Sequence, residues 1–275
     1  MRIFTTVITA ITLFFSLNIF SQALNDRKGA GVSVSPAHLH LTQIPGSTKS
    51  YKITINNDTR SVNSFRIRMK DFEMNSKGQS TFLEPGTGKY SLSKWTTVSP
   101  NFVDLAPFEK KEITVTVSVP NSDAGNKAAW EILMIEQEKP RESLKISEKR
   151  SNTIGMGVIP TFAFGVFAYQ NPPTVENKNV QLINFKQEER TISIQAENKG
   201  DGIAYCSAYI DLTNLTTGTQ ERFPVKKFTI LPELIRDFKY EIPKKYKSGK
   251  FLAIGVLDYE DAPEIQAAKL EFEMN

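Results

Sequence analysis

Hydrophobic and polar residues alternate along much of this chain, and the longest alternating run lies between Asn152 and Gln170. Ile154, Met156, Val158, Pro160, Phe162, Phe164, Val166 and Ala168 fall on every second position, so an extended strand places them all on one face. No charge interrupts the run. The opposite face, from Gly155 to Tyr169, is small at first and bulky only near its end. Pro160 cannot donate to a ladder, so the pattern predicts a strand at a sheet edge, or one that changes partner there. An edge strand with a row of large apolar side chains invites pairing by another chain. Either the protein covers that row itself, or covering it is the function.

The rest of the chain predicts more strands. Residues 31–41 read as a first strand, broken or bulged at Pro36. Tyr51, Ile53 and Ile55 alternate with polar residues, and so do Phe65, Ile67 and Met69. Ile113, Val115, Val117 and Val119 give the clearest inward face of all. Residues 128–137 are apolar on both faces in their middle, Trp130, Ile132 and Met134 against Leu133 and Ile135, which predicts a central strand. Residues 75–92 are rich in turn signals, and residues 138–151 form a charged loop of mixed sign. Pro172 and Pro173 make a short, stiff linker. Beyond it, seven short strands are predicted at 180–185, 191–197, 203–212, 222–228, 234–242, 251–259 and 267–274. That rhythm is the pattern of an immunoglobulin-like sandwich. No stretch has a helical period over more than about three turns. The expected fold is therefore all-β: two tandem immunoglobulin-like β-sandwich domains, residues 31–170 and 177–275, joined by a linker at 171–176.

The first residues change the picture of where the chain works. Arg2 is the only charge before Asp26, residues 3–20 are almost wholly apolar, and Ser21-Gln22-Ala23 offers small residues for cleavage. Residues 1–23 read as a secretory signal peptide, followed by a flexible stretch at 24–30. No second run reaches the roughly 18 to 20 apolar residues that span a bilayer, so the mature chain is expected not to span a membrane. Loss of the signal takes the formal charge from +4 to +3. The charges are interspersed, with no basic stripe to bind nucleic acid. Cys206 is the only cysteine, which excludes an internal disulfide and leaves stability to the core.

Candidate chemistry is sparse. His38 and His40 share a face of the first strand, but further ligands at a metal-binding spacing are missing. Asp258-Tyr259-Glu260-Asp261 is an acidic cluster best read as a hairpin turn. Asn57-Asp58-Thr59 and Asn214-Leu215-Thr216 match the N-glycosylation pattern, which recurs by chance. With no nucleophile elbow, Cys/His pair or phosphate loop, the expectation is a protein that is not an enzyme and needs no cofactor or metal.

Four features in order carry a resemblance: Gly31-Val-Ser-Val-Ser-Pro36; Trp95 with Ser99-Pro100; Leu105-Ala-Pro107 before a strictly alternating strand; and Ala128-Ala-Trp-Glu-Ile-Leu133 before a charged loop and a long apolar strand. Together they resemble the N-terminal domain of PapD-like periplasmic pilus chaperones, over Gly31 to about Pro173. The resemblance implies two immunoglobulin-like domains, the first lending apolar side chains of its last strand to an incomplete subunit by strand addition. It implies Ile154, Met156 and Val158 as the donating side chains, with Pro160 closing the row. It implies exported, pilin-like subunits as clients, an outer-membrane usher as a further partner, and a periplasmic location. The family anchors a client's terminal carboxylate with an arginine and a lysine; the matching positions here are His38 and Gly165, so the usual carboxylate capture is in doubt. Tyr169 stands about where the family has an arginine in an interdomain ion pair. The alternative from another class is a secreted or surface-exposed structural or adhesion module that binds a protein or glycan through its loops.

Overall fold

The computed structural model describes residues 31–138, 161–260, 262 and 264–274. The described residues of the first half form ten strands. They are β1 (Val32–Ser35), β2 (His38–Leu41), β3 (Thr48–Asn57), β4 (Asn63–Met74), β5 (Ser80–Leu83), β6 (Thr96–Ser99), β7 (Phe102–Leu105), β8 (Lys110–Ser118), β9 (Ala129–Glu138) and β10 (Ala163–Gln170). They build two sheets. One runs β1-β3-β8-β6; the other runs β2-β10-β9-β4-β5, with β7 also paired to β4.

The alternation read from the sequence decides which side chains lie between those sheets. Ile53, Ile55, Ile113, Val115 and Val117 come from the first sheet, and Phe65, Ile67, Leu133, Ile135, Val166 and Ala168 from the second. Each is buried, and full burial of one such side chain stabilises by roughly 1.5–3 kcal/mol. Pro36 divides the expected first strand, and its two pieces go to different sheets: β1 pairs antiparallel with β3, and β2 pairs parallel with β10. Gln170 seals that end. Its Nε2 donates to the Gln43 carbonyl at 2.7 Å, and its Oε1 accepts from the Gln43 amide at 3.2 Å.

The second half forms eight strands: β11 (Val180–Glu188), β12 (Thr191–Asn198), β13 (Ala204–Asn214), β14 (Gln220–Arg222), β15 (Lys226–Ile230), β16 (Ile235–Glu241), β17 (Gly249–Tyr259) and β18 (Gln266–Met274). The sheet β11-β12-β16 faces the sheet β14-β13-β17-β18, and β15 pairs with β13. Val180, Ile192, Ile194, Phe238 and Tyr240 meet Ala208, Ile210, Leu212, Phe251 and Leu257 between them. Gly255 is small for a reason: a Cβ there would stand 2.7 Å from the Phe185 ring. The all-β, two-sandwich expectation is borne out. One strand is corrected. The single strand expected at 222–228 is two, because Pro224 between β14 and β15 has no N–H for the ladder. Three further short strands, β5, β6 and β7, lie where only turns or no element had been expected.

The sandwiches share a small core of their own. Phe72, Trp130, Ile132 and Tyr169 from the outer face of the first pack with Ile203 and Leu231 from the second. Tyr90 stacks on Trp130 at 4.5 Å, and the Trp130 Nε1 donates to the Phe72 carbonyl at 2.8 Å. The Lys89–Glu233 ion pair, 2.7 Å, crosses the same junction, but both side chains are well exposed and water screens it. No helix among the described residues is long and apolar enough to cross a membrane.

Candidate functional site

Two features stand out: a strand edge and a cleft. The edge belongs to β10. β9 pairs with it along all eight residues, Ala163 to Gln170. β2 pairs only with its second half, Phe167 to Gln170, since the chain turns away at Pro36. The Phe167 N–H donates to the Ala37 carbonyl at 3.0 Å, and the Asn171 N–H to the Leu41 carbonyl at 2.9 Å. The same alternation aims the Ala163 and Gly165 amides toward the side that β2 does not reach. Among the described strands, that stretch of edge has no partner.

The side chains of β10 follow the predicted alternation. Val166 and Ala168 are buried between the sheets, Phe164 is half-buried against them, and Phe162 before them is exposed. The Phe162 ring lies 5.4 Å from Phe164 and 6.2 Å from Phe65, so the apolar row reaches back to Phe162. Ile154, Met156, Val158 and Pro160 lie outside the described residues.

The cleft, of about 1050 Å³, lies between the sandwiches. His38 and His40 project from β2 onto its wall beside Phe167 and Tyr169 of β10. His38 stacks on Phe167 at 5.7 Å, and His40 meets Tyr205 edge-on at 4.5 Å. Burial holds the His40 imidazole below its ordinary value, His38 adds to that, and Glu260 opposes it. The structure brings His38 into the cleft but not Gly165 as a binding group. A Cβ at Gly165 would stand 2.7 Å from Ile132 Cδ1, so the buried Ile132 fills the space a lysine stem would need. Tyr169 makes an aromatic junction: it is buried, its ring is 6.3 Å from Tyr205, and burial pushes its hydroxyl up to about 12.

The cleft's other charged groups come from the second sandwich: Lys227, Arg236, Asp258 and Glu260. Arg236 is fixed by Nη1 donating to the Thr229 carbonyl at 3.1 Å, and burial lowers its pKa. Its guanidinium rests on Gly78, whose φ of +81° and missing Cβ both suit that contact. Asp258 and Glu260 belong to the acidic cluster read as a hairpin turn, and Lys227 and Arg236 had no signal in the sequence; nothing local ties any of them to His38, which is more than 150 residues away. No group of three or more metal-ligating side chains occurs among the described residues. Cys206 is buried, and burial pushes its thiol up to about 12, which makes it a poor nucleophile. Asn57 and Asn214 are buried and hold turns, which makes both poor glycosylation acceptors in the folded chain.

No family model matches the chain, and no curated protein sequence matches it. Among solved structures it is similar to the class 5 fimbriae chaperone CfaA, at 13% identity and a TM-score of 0.45 over 89% of this chain and 99% of that one. It is similar to the E. coli chaperone DraB at 13% and 0.43, over 87% and 98%. It is similar to the Pseudomonas aeruginosa CupB2 chaperone at 9% and 0.41, over 86% and 98%.

Proposed function

We propose that this protein is an exported chaperone of the periplasm that holds pilin-like subunits for assembly, and that it does so by strand addition at the free edge of β10. The observation that carries this reading is the half-paired strand. Among the described residues, β10 is hydrogen-bonded along both sides only from Phe167 onward, and its other half continues a row of large apolar side chains. A strand of a client laid along that edge satisfies the Ala163 and Gly165 amides, and alternate side chains of the donor row fill the client's open core. The donor row we propose is Ile154, Met156 and Val158, ending at Pro160, which in sequence keeps the same period of two as Phe162, Phe164 and Val166. An outer-membrane usher is the expected receiver of the loaded client. The cleft takes a different part from the one its position suggests, because the lysine place is occupied by Gly165 under Ile132.

Hydrogen exchange on the free and client-loaded protein tests the reading. In the free protein the Ala163 and Gly165 amides exchange fast while Phe164 and Val166 are protected by β9. Addition of a purified client subunit slows the first pair. Met156→Asp combined with Val158→Asp leaves the fold intact and abolishes client recovery from the envelope. Undiminished recovery with that double variant overturns strand donation.

A further inference from the structure

A carboxyl pair is enclosed in the first sandwich, apart from both the β10 edge and the cleft. Asp71 of β4 is 1% exposed and Glu131 of β9 is 0% exposed. Glu131 faces the core, opposite Ala168 in the ladder. The Asp71 carboxylate is well supplied. Its Oδ1 accepts from the Ser91 hydroxyl at 2.9 Å and the Ser93 hydroxyl at 2.7 Å, and its Oδ2 from the Gly88 amide at 2.8 Å. Glu131 has nothing comparable: among the described residues neither of its oxygens has a hydrogen-bond partner.

A buried carboxylate without donors is among the least stable arrangements in a protein, and the usual resolution is to take a proton. The local chemistry favours that outcome. The hydroxyl within reach of Glu131 is that of Thr96, whose proton is directed at the Leu92 carbonyl at 3.2 Å. Thr96 Oγ1 then has a lone pair to accept with, which serves a carboxylic acid and not a carboxylate. Burial pushes the Glu131 carboxyl up to about 7. Asp71, which faces it, adds to this, whereas a Thr96 proton given to Glu131 in place of Leu92 would oppose it.

We propose that Asp71 and Glu131 form a proton-binding site, in which the folded first sandwich keeps one proton on Glu131 beneath the segment 88–96 packed against β9. That segment is held to β9 beside the site: the Leu92 amide donates to the Trp130 carbonyl at 3.2 Å and the Trp130 amide to the Tyr90 carbonyl at 2.9 Å. Tyr90 and Trp130 also form part of the junction with the second sandwich, through Leu231. A cleft of about 230 Å³ lined by Asp71, Ser91, Trp130 and Leu231 opens beside the site on the Asp71 side.

The sign follows from linkage. A glutamate in the unfolded chain titrates at its ordinary value, below that of Glu131 in the fold, so folding takes up a proton between the two. The contribution is fully present at acid pH and is lost as pH rises through the folded value. His40, lowered by burial, contributes in the opposite direction, as stability lost when pH falls. Comparison with Glu131→Gln isolates the carboxyl, since the amide keeps the shape, stays neutral and donates an N–H.

The experiment is chemical denaturation of the mature protein and of Glu131→Gln from about pH 5 to pH 8.5. The wild type is expected to take up about one more proton on folding than the variant near pH 6 and to lose stability relative to it toward pH 8. Equal pH slopes overturn the site. Should the variant not fold, the carbonyl-carbon NMR shift of Glu131 in the wild type decides: titration near neutrality supports the proposal, and titration near pH 4.5 overturns it. Stabilisation of the alkaline wild type, but not of the variant, by added sodium or calcium also overturns it, in favour of a cation.

Discussion

Asn57 shows how much one polar side chain does in this fold. It is fully buried, donates to the Ser61 carbonyl and the Ala106 carbonyl, each at 2.9 Å, and accepts from Thr59 and from Asn63 at 3.0 Å. It thereby ties the β3–β4 turn to the end of β7. Asn57→Ala leaves those groups without partners and is expected to cost about 1–3 kcal/mol, read as a lower denaturation midpoint with unchanged slope. Gly165 gives a second test. Gly165→Ala drives a Cβ against Ile132 Cδ1 and is expected to destabilise by about 1–2 kcal/mol. Ile132→Val removes that methyl, so the double variant is more stable than the sum of its parts in a double-mutant cycle. Additive losses would mean that Ile132 does not fill the Gly165 site.

At the scale of elements, alternation was legible wherever one face is buried. Ile113, Val115, Val117 and Val119 are all buried, and β9 is a central strand between β10 and β4, both as expected. Apart from β1 and β2, strands of three to five residues are not legible, because so few positions carry no measurable period: β5, β6 and β7 give no signal, and β14 and β15 read as one run across Pro224. Glu131 was also passed over, since one acid inside an apolar run does not change its pattern, although it changes the chemistry of the core. The β10 edge yields the element-scale prediction. Val34 and Val32 of β1 are committed to β3, so replacement of Pro36 by Ala should not extend β2 along β10. The fast exchange of the Ala163 and Gly165 amides is expected to persist in Pro36→Ala, and its loss would mean that Pro36 alone keeps the edge open.

At the scale of the whole molecule, the junction between sandwiches is apolar and continuous, so the halves are expected to move as one. Leu231→Asp puts a charge among Trp130, Tyr169 and Ile203. It is expected to separate the two unfolding transitions and to raise the radius of gyration in X-ray scattering. Glu233→Ala, which removes only the screened ion pair to Lys89, leaves both unchanged. A single transition in Leu231→Asp would mean that the junction adds little to the coupling.

The sequence by itself determined the all-β class, the repeat of short strands and the inward faces of the longer ones, because a period of two is written in neighbouring residues. It also located the apolar row that leads into β10. The tertiary structure alone decided three things: which half of β10 remains without β2, which residues of the second sandwich meet His38 in the cleft, and that Glu131 is shut into the core beside Asp71. Each depends on residues brought together from distant parts of the chain, where pairing and burial are set by packing and leave no local pattern to read.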